Sequence, residues 1–370
     1  MKSYKHYLNT IFAVAGMLLF SISAVAQKEY TIEQVSSINM GDGRWLYRDV
    51  KSEQPLNGKH RIMDGYHSAY IQAEFKDGFY NGDYKEYEYN RLMKEGKYKE
   101  GLKNGIFKEY YSSGEKVKQE TSYANGKLDG WRKSYYTNGQ IEREQQFKNG
   151  KEDGIERQYE SDGELRRECN YKNGVYDGEQ MILYRSNIGD LVERFSYRNG
   201  LQEGKFSQMF QTGVPHIVGE YKEGKKSDRW ITIKDSGDTL KIETFNAGKK
   251  EGIQVAFDSE TGQRLREDNL KNDRRNGLCK EYNSQNGEVI CEAQYVSGKK
   301  HGTVKLLVED NRSDYWETYT YVNGYPSGEF ESHYIKNNRL REKGTYRNGR
   351  KVGRWALYDI NGKLEREWDE

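Results

Sequence analysis

The sequence predicts an all-β protein, an elongated, twisted antiparallel β-meander of about thirteen two-stranded repeats of roughly 24–25 residues. Three observations lead there. The chain of 370 residues has 39 Gly and 31 Tyr but only 3 Pro, a mixture that favours short strands and tight turns. A Gly-x-x-x-Gly pair recurs along most of its length, and a second turn signal falls midway between successive pairs. Sixty basic residues against 58 acidic ones leave a net charge of +2, and 13% of the residues are aromatic, which excludes a disordered polyampholyte. The same balance excludes a wholly basic nucleic-acid binder, while leaving room for a local basic patch.

At the amino terminus Lys2 and Lys5 precede an apolar run from Ile11 to Ile22, and Ala24, Val25 and Ala26 supply small residues for cleavage. The expectation is a signal peptide over residues 1–26, removed to leave Gln27 first and to place the mature chain in the periplasm or outside the cell. The run is too short for a spanning helix, and no transmembrane segment is expected in the mature chain. Residues 27–57 read as an N-terminal capping segment, and residues 58–370 as the repeat array.

The array is aligned by its glycines: Gly78/Gly82, Gly101/Gly105, Gly126/Gly130, Gly150/Gly154, Gly174/Gly178, Gly200/Gly204, Gly248/Gly252, Gly298/Gly302, Gly324/Gly328 and Gly349/Gly353. Two copies are altered, at Gly224/Asp228 and Asp273/Gly277. Three residues before the first Gly stands an aromatic almost throughout, as Tyr98, Tyr123, Phe147, Tyr171, Tyr197, Tyr221 and Tyr346. Five residues after the second Gly come Tyr87, Tyr110, Tyr135, Tyr159, Phe257, Tyr282 and Tyr358. Asn138-Gly139, Asp162-Gly163, Asn286-Gly287 and Asn361-Gly362 mark the second turn, since these dipeptides reach positive φ cheaply and close hairpins. Val289, Cys291, Ala293 and Tyr295 alternate with polar residues, a period of two, and glycine recurs too often for helix. A single sheet has no second layer, so the rings must lie over neighbouring strands, with glycines leaving room for them. Phe107, Phe206, Trp230, Phe330 and Trp355, two residues after the second Gly, have the opposite parity to the five-residue position. Either both faces carry aromatics or a bulge shifts the phase.

Segments such as Tyr123–Trp131 (YANGKLDGW) and Tyr346–Trp355 (YRNGRKVGRW) resemble the bacterial MORN-repeat variant family, which includes the YwqK-type antitoxin components; the resemblance covers residues 58–370. It implies a non-enzymatic β-repeat surface that binds a protein partner, with toxin neutralisation as one role and scaffolding or lipid binding as others.

Residue chemistry agrees with a non-enzyme. The sequence holds no GxxxxGK[ST], HExxH or GxSxG, and His60, His67, His216, His301 and His333 are scattered without ligand spacing, so neither cofactor nor metal is expected. Asp129, Asp153 and Asp177 recur just before a glycine, where turn chemistry explains them better than calcium or acid–base work. Abundant Glu and Lys read as cross-strand pairs. Cys169, Cys279 and Cys291 are an odd number; Cys279 and Cys291 share one hairpin and stand nearly opposite if its turn is centred near Gln285, so a bridge is one reading and three buried small residues the other.

Two features stand above this background. Lys225-Lys226, Lys249-Lys250, Arg274-Arg275 and Lys299-Lys300 sit in successive turns and are expected to line one anion-binding edge, diluted by Glu223, Asp228, Glu251 and Asp273. Tyr111, Tyr136, Tyr184 and Phe210 are expected to form an exposed aromatic row, each being the outer member of a doublet. The function expected is an exported, non-catalytic repeat scaffold that binds a protein partner and is immunity-like; the alternative is a cell-envelope surface protein that binds an anionic glycan or lipid. Nucleic acid is not an expected partner.

Overall fold

The computed structural model describes residues 27–370; the signal peptide expected over residues 1–26 lies outside them. The chain is nearly all β, as the turn pattern predicts. It forms two compact units, one ending at Glu115 and one spanning Lys116–Glu370.

In the first unit Lys28–Thr31 pairs in parallel with Gly58–Asp64, and the strands Gly58–Asp64, Ala69–Lys76, Phe79–Glu88 and Arg91–Lys99 then follow as an antiparallel meander. A short 3₁₀ turn, Ile32–Gln34, leads into a separate hairpin of Val35–Asn39 and Trp45–Asp49. Tyr30, Leu56, Ile62, Ala73 and Phe75 make the core, with Tyr47, Tyr80 and Tyr84 packed against it.

The second unit is a continuous antiparallel meander from Val117–Ala124 to Leu364–Asp369, in which each strand pairs with its neighbours in sequence. Its two kinds of turn differ in chemistry. Around the first glycine of each pair the two central residues are both left-handed, Asn149 at φ 50° and Gly150 at φ 85°, which is the type I′ geometry that suits the twist of a hairpin. Midway, Gly139 N–H donates to Tyr136 O and Tyr136 N–H to Gln140 O, with Gly139 at φ 92°, the three-residue hairpin with a glycine bulge. The second glycine of the pair is a bulge rather than a turn. Gln145 pairs with Glu156 and Phe147 with Glu152, so Asp153, Gly154 and Ile155 stand opposite Gln146 alone. Gly154 is at φ 114°, and the Gln146 side chain leans over it to accept the Ile155 N–H at 3.0 Å.

Successive hairpins are tied by two repeated bonds. Gly150, Gly174, Gly200, Gly224, Gly248, Gly298, Gly324 and Gly349 each donate their N–H to a carbonyl of the preceding turn, as Gly150 does to Leu128 at 2.7 Å and Gly174 to Glu152 at 2.8 Å. Beside this rung, the residue before the second glycine accepts a backbone N–H from the next turn. Asp129 takes that of Asn149, Asp153 that of Asn173, Asp177 that of Asn199, Glu203 that of Glu223 and Glu251 that of Asn272, at 2.8–3.1 Å. The recurring carboxylate is thus an inter-repeat strut.

Both faces carry aromatics. The position two after the second glycine is the deepest column, with Phe206, Trp230, Phe330 and Trp355 buried and Trp355 at 0% exposure. Its rings meet the aromatic three before the first glycine: Tyr221–Trp230 at 5.1 Å and Tyr346–Trp355 at 5.3 Å, both edge-on. Strand glycines make the room. A Cβ on Gly219 would fall inside contact distance of the Trp230 ring, and one on Gly344 inside that of Trp355. Tyr110, Tyr135 and Tyr159, five after the second glycine, lie on the other face and donate to a glutamate 15 residues upstream, Tyr135 to Glu120 at 3.0 Å and Tyr159 to Glu144 at 3.1 Å. Burial, then the Glu120 carboxylate, pushes Tyr135 up to about 12.

Between the aromatic clusters the same column turns polar. Glu156, 1% exposed, takes the place of the ring, and Arg143 reaches it at 3.0 Å and Gln145 at 3.2 Å. Further along, Gln254 takes that place, and Asp268, paired opposite it, is held by Arg266 at 2.7 Å and Arg275 at 2.9 Å.

Candidate functional site

The eight turn cations do not form one stripe. Adjacent strand residues face opposite sides, so each pair divides. Lys225, Lys249, Arg274 and Lys299 are exposed, whereas Lys226, Lys250, Arg275 and Lys300 are half-buried on the aromatic face. There Lys226 Nζ sits 4.0 Å from the Trp230 ring centroid, and burial lowers its pKa. Lys250 Nζ pairs with Glu243 at 2.6 Å, Arg275 lies over Tyr295 at 5.2 Å, and Lys300 over Tyr321 at 5.4 Å. Lys103 over Phe107 and Lys351 over Trp355 extend the series. These cations lid the aromatic column.

The exposed member of each pair belongs to a longer row. In a type I′ hairpin the residues on either side of the two turn residues face each other directly, and in the second unit those partners are Ala124 and Lys127, Lys148 and Lys151, Lys172 and Val175, Arg198 and Leu201, and Lys222 and Lys225. The row continues with Asn246 and Lys249, Lys271 and Arg274, Val296 and Lys299, Val322 and Tyr325, and Arg347 and Arg350. Every one of these residues is exposed, none is acidic, and no cation among them forms an ion pair within the described residues. Lys148, Lys151, Lys172, Arg198, Lys222, Lys271, Arg347 and Arg350 escape a reading based on neighbouring lysines. Their signal is a basic residue next to the two turn residues, on both sides in Lys148-Asn149-Gly150-Lys151 and Arg347-Asn348-Gly349-Arg350 and on the entering side in Lys172-Asn173-Gly174 and Arg198-Asn199-Gly200.

Beside this row, two residues further from the turn on the strand that enters it, stand Ser122, Gln146, Asn170, Ser196, Glu220, Thr244, Asn269, Gln294, Thr320 and Thr345; on the strand that leaves it the same place holds the strut acids Asp129, Asp153, Asp177, Glu203 and Glu251. Several of the former hold the bulge: Asn170 donates to Glu179 O at 2.6 Å and Thr244 to Ile253 O at 3.3 Å. A polar groove of about 660 Å³ opens where the two rows meet, lined by Lys148, Lys151, Lys172, Asn149, Asn170 and Asn173 and by Asp153 and Asp177, which are engaged as struts.

The aromatic row differs from expectation as well. Phe210 is 7% exposed, with its ring 4.8 Å from His216. Tyr111, Tyr136 and Tyr184 are half-buried. Tyr136 donates its hydroxyl to Tyr159 O at 2.8 Å, a tether to the next repeat, and burial with the Glu193 carboxylate pushes Tyr184 up to about 12. These rings are scaffold; beside Tyr136 and Phe210 a register shift next to the mid-turn accompanies the change of face, while the hairpin after Tyr184 runs without one.

All three cysteines are free thiols. Cys279 faces Ala293 and Cys291 faces Glu281, because a register shift at Glu281/Tyr282 displaces the pairing that a turn centred near Gln285 would give. Burial raises all three thiols. Among the described residues no group of three or more His, Cys, Asp or Glu could hold a metal ion, and no helix is long and apolar enough to cross a membrane.

No family model matches the chain, and no curated protein matches it. Among solved structures it is similar to a chain of the Photorhabdus luminescens Tc holotoxin pore (TccC3-D651A mutant), at 10% identity and a TM-score of 0.14, covering 90% of this chain and 18% of that one. It is also similar to a chain in the TcdB2-TccC3-Cdc42 structure, at 8% identity and a TM-score of 0.17, covering 88% and 22%. The chain thus spans about a fifth of either, and likeness of this degree carries no argument.

Proposed function

We propose that the chain is an exported, non-catalytic repeat scaffold that binds a protein partner, in an immunity-like manner. One observation carries this reading. Val296, Val322 and Tyr325 are 52%, 43% and 62% exposed on two consecutive turns, where they interrupt the cation row with an apolar patch. Val322 faces Tyr325 directly, and the Gly324 N–H to Lys300 O bond fastens the two turns together. An aromatic anchor flanked by aliphatics on a rigid support, rimmed by charge, is the composition of a protein-binding centre. The resemblance of the repeat to the MORN-variant family supports the same reading. The buried hydroxyls, struts and lid cations hold repeats together, which leaves the surface for recognition.

A photo-crosslinking residue at position 325, in cells that produce the protein natively, is expected to trap one discrete adduct that disappears when Val322→Lys is added. The same residue at the solitary, exposed Tyr66 is expected to trap none. Identical adduct patterns at both positions, or none at position 325, would overturn the proposal.

A further inference from the structure

We infer that the outer row of turn cations in the second unit is a binding track for a linear polyanion, an acidic polysaccharide whose carboxylates meet the cations and whose hydroxyls meet the polar row beside them. The first ground is a cost in stability. Lys148 faces Lys151, Lys222 faces Lys225, Lys271 faces Arg274 and Arg347 faces Arg350 across a hairpin. Like charges directly opposed are destabilising, and an acid at either position would relieve each pair. The sequence supplies acids freely elsewhere, yet none stands in this row. Glu223 and Asp273 stand in the turns between two of these pairs, but Lys148/Lys151 and Arg347/Arg350 have only Asn-Gly between them, and repulsion retained there is what a site for an external anion looks like.

Spacing is the second ground. Successive turns lie two strands apart, roughly 10 Å, so the row presents charge at a regular step rather than in a cluster. Ligand chemistry is the third. The row of Ser122, Gln146 and Asn170 keeps polar atoms beyond those that hold the bulge: Gln146 uses its Oε1 for Ile155 N–H and keeps its amide nitrogen, and Asn170 uses its Nδ2 and keeps its side-chain Oδ1. These are partners for sugar hydroxyls, and the groove at Lys148, Lys151 and Lys172 sets both rows around one space. Single-stranded nucleic acid would instead want a run of exposed rings beside the cations, where the row holds Tyr325 alone. A lipid surface is flat, whereas a sheet twists by about 20–25° per strand, so turns several hairpins apart cannot share one plane. A flexible chain can follow them.

Alginate oligomers of graded length test the track, with neutral dextran, phosphatidylglycerol vesicles and oligothymidylate alongside. Wild-type protein is expected to bind alginate, more tightly as the oligomer lengthens past one turn-to-turn step and more weakly with added salt, and to ignore dextran. Replacing Lys148, Lys151, Lys172, Lys222 and Lys225 by Gln is expected to weaken binding by about tenfold or more. A control of equal charge, with Lys118, Arg185, Lys336, Lys343 and Lys363 replaced by Gln, is expected to lose less than about twofold. Should the row variant melt lower than wild type, the length and salt series on wild-type protein decide alone. No salt-sensitive binding, equal loss in both variants, or tighter binding to vesicles or oligothymidylate than to alginate would each overturn the inference. The crosslink at position 325 does not depend on these lysines, so either reading can fail without the other.

Discussion

Gly344 and Trp355 are one structural unit at the scale of the residue. The indole occupies the volume that any side chain at position 344 would need, as Trp230 does for Gly219. Gly344→Ala is therefore expected to cost about 1–3 kcal/mol, because the ring cannot withdraw from a site where it is fully buried. Gly65→Ala is the control: it has an ordinary φ and nothing within 4 Å of its missing Cβ, and is expected to be neutral or to stabilise by up to about 1 kcal/mol. Denaturant midpoints of the two variants distinguish the cases, and equal shifts would mean that the column is not the core. The sequence showed that rings sit near glycines but not which ring covers which glycine. That pairing spans 11 residues across a bulged strand, and only the register fixes it.

At the scale of the hairpin, the carboxylate struts connect each turn to the next. Asp153→Ala removes the acceptor for Asn173 N–H and is expected to cost about 1 kcal/mol, while Asp153→Asn, which keeps an acceptor, is expected to cost less. Hydrogen exchange at the Asn173 amide reads this directly: it is expected to quicken in the Ala variant more than in the Asn variant, and unchanged exchange in both would deny the strut. The turn position of these acids was legible from their place before glycine. Their partners were not, since each lies some 20 residues on, in a different hairpin. The cation row was half legible for a related reason. Adjacency along the chain suggested doublets, but strand parity sends each doublet's members to opposite faces, and pairing across the turn joins residues three apart instead.

At the scale of the whole molecule, the period governs what can be removed. Deleting Gly150–Asn173 joins Asn149 to Gly174, restores an Asn-Gly type I′ turn and keeps every strut in register. That variant is expected to retain a β-type circular dichroism spectrum and a cooperative melt, because each repeat touches only its neighbours. Deleting Gly150–Ser161 instead removes half a period, joins a type I′ position to a mid-turn and is expected to lose the cooperative transition. Comparable melts from the two deletions would show that phase is unimportant. The repeated strands and turns could be read from glycine spacing alone. The division at Glu115 and Lys116 could not, for the motif runs through it with no change of composition: Tyr110-Tyr111-Ser112-Ser113-Gly114 looks like any other mid-turn.

The turn-to-turn rungs also bear on the chemical lifetime of the protein. Asn-Gly is the dipeptide most prone to spontaneous loss of the side-chain amide, a reaction in which the backbone nitrogen of the glycine attacks the asparagine side-chain carbon. At Gly150, Gly174, Gly200, Gly324 and Gly349 that nitrogen is already committed as a donor to the preceding turn, and its asparagine is fixed in the left-handed conformation. Closed hairpins thus shelter their most perishable bonds, and only hairpins that open expose them. Because each conversion would plant a carboxylate between two members of the cation row, an ageing molecule would lose positive charge first wherever its repeats breathe most.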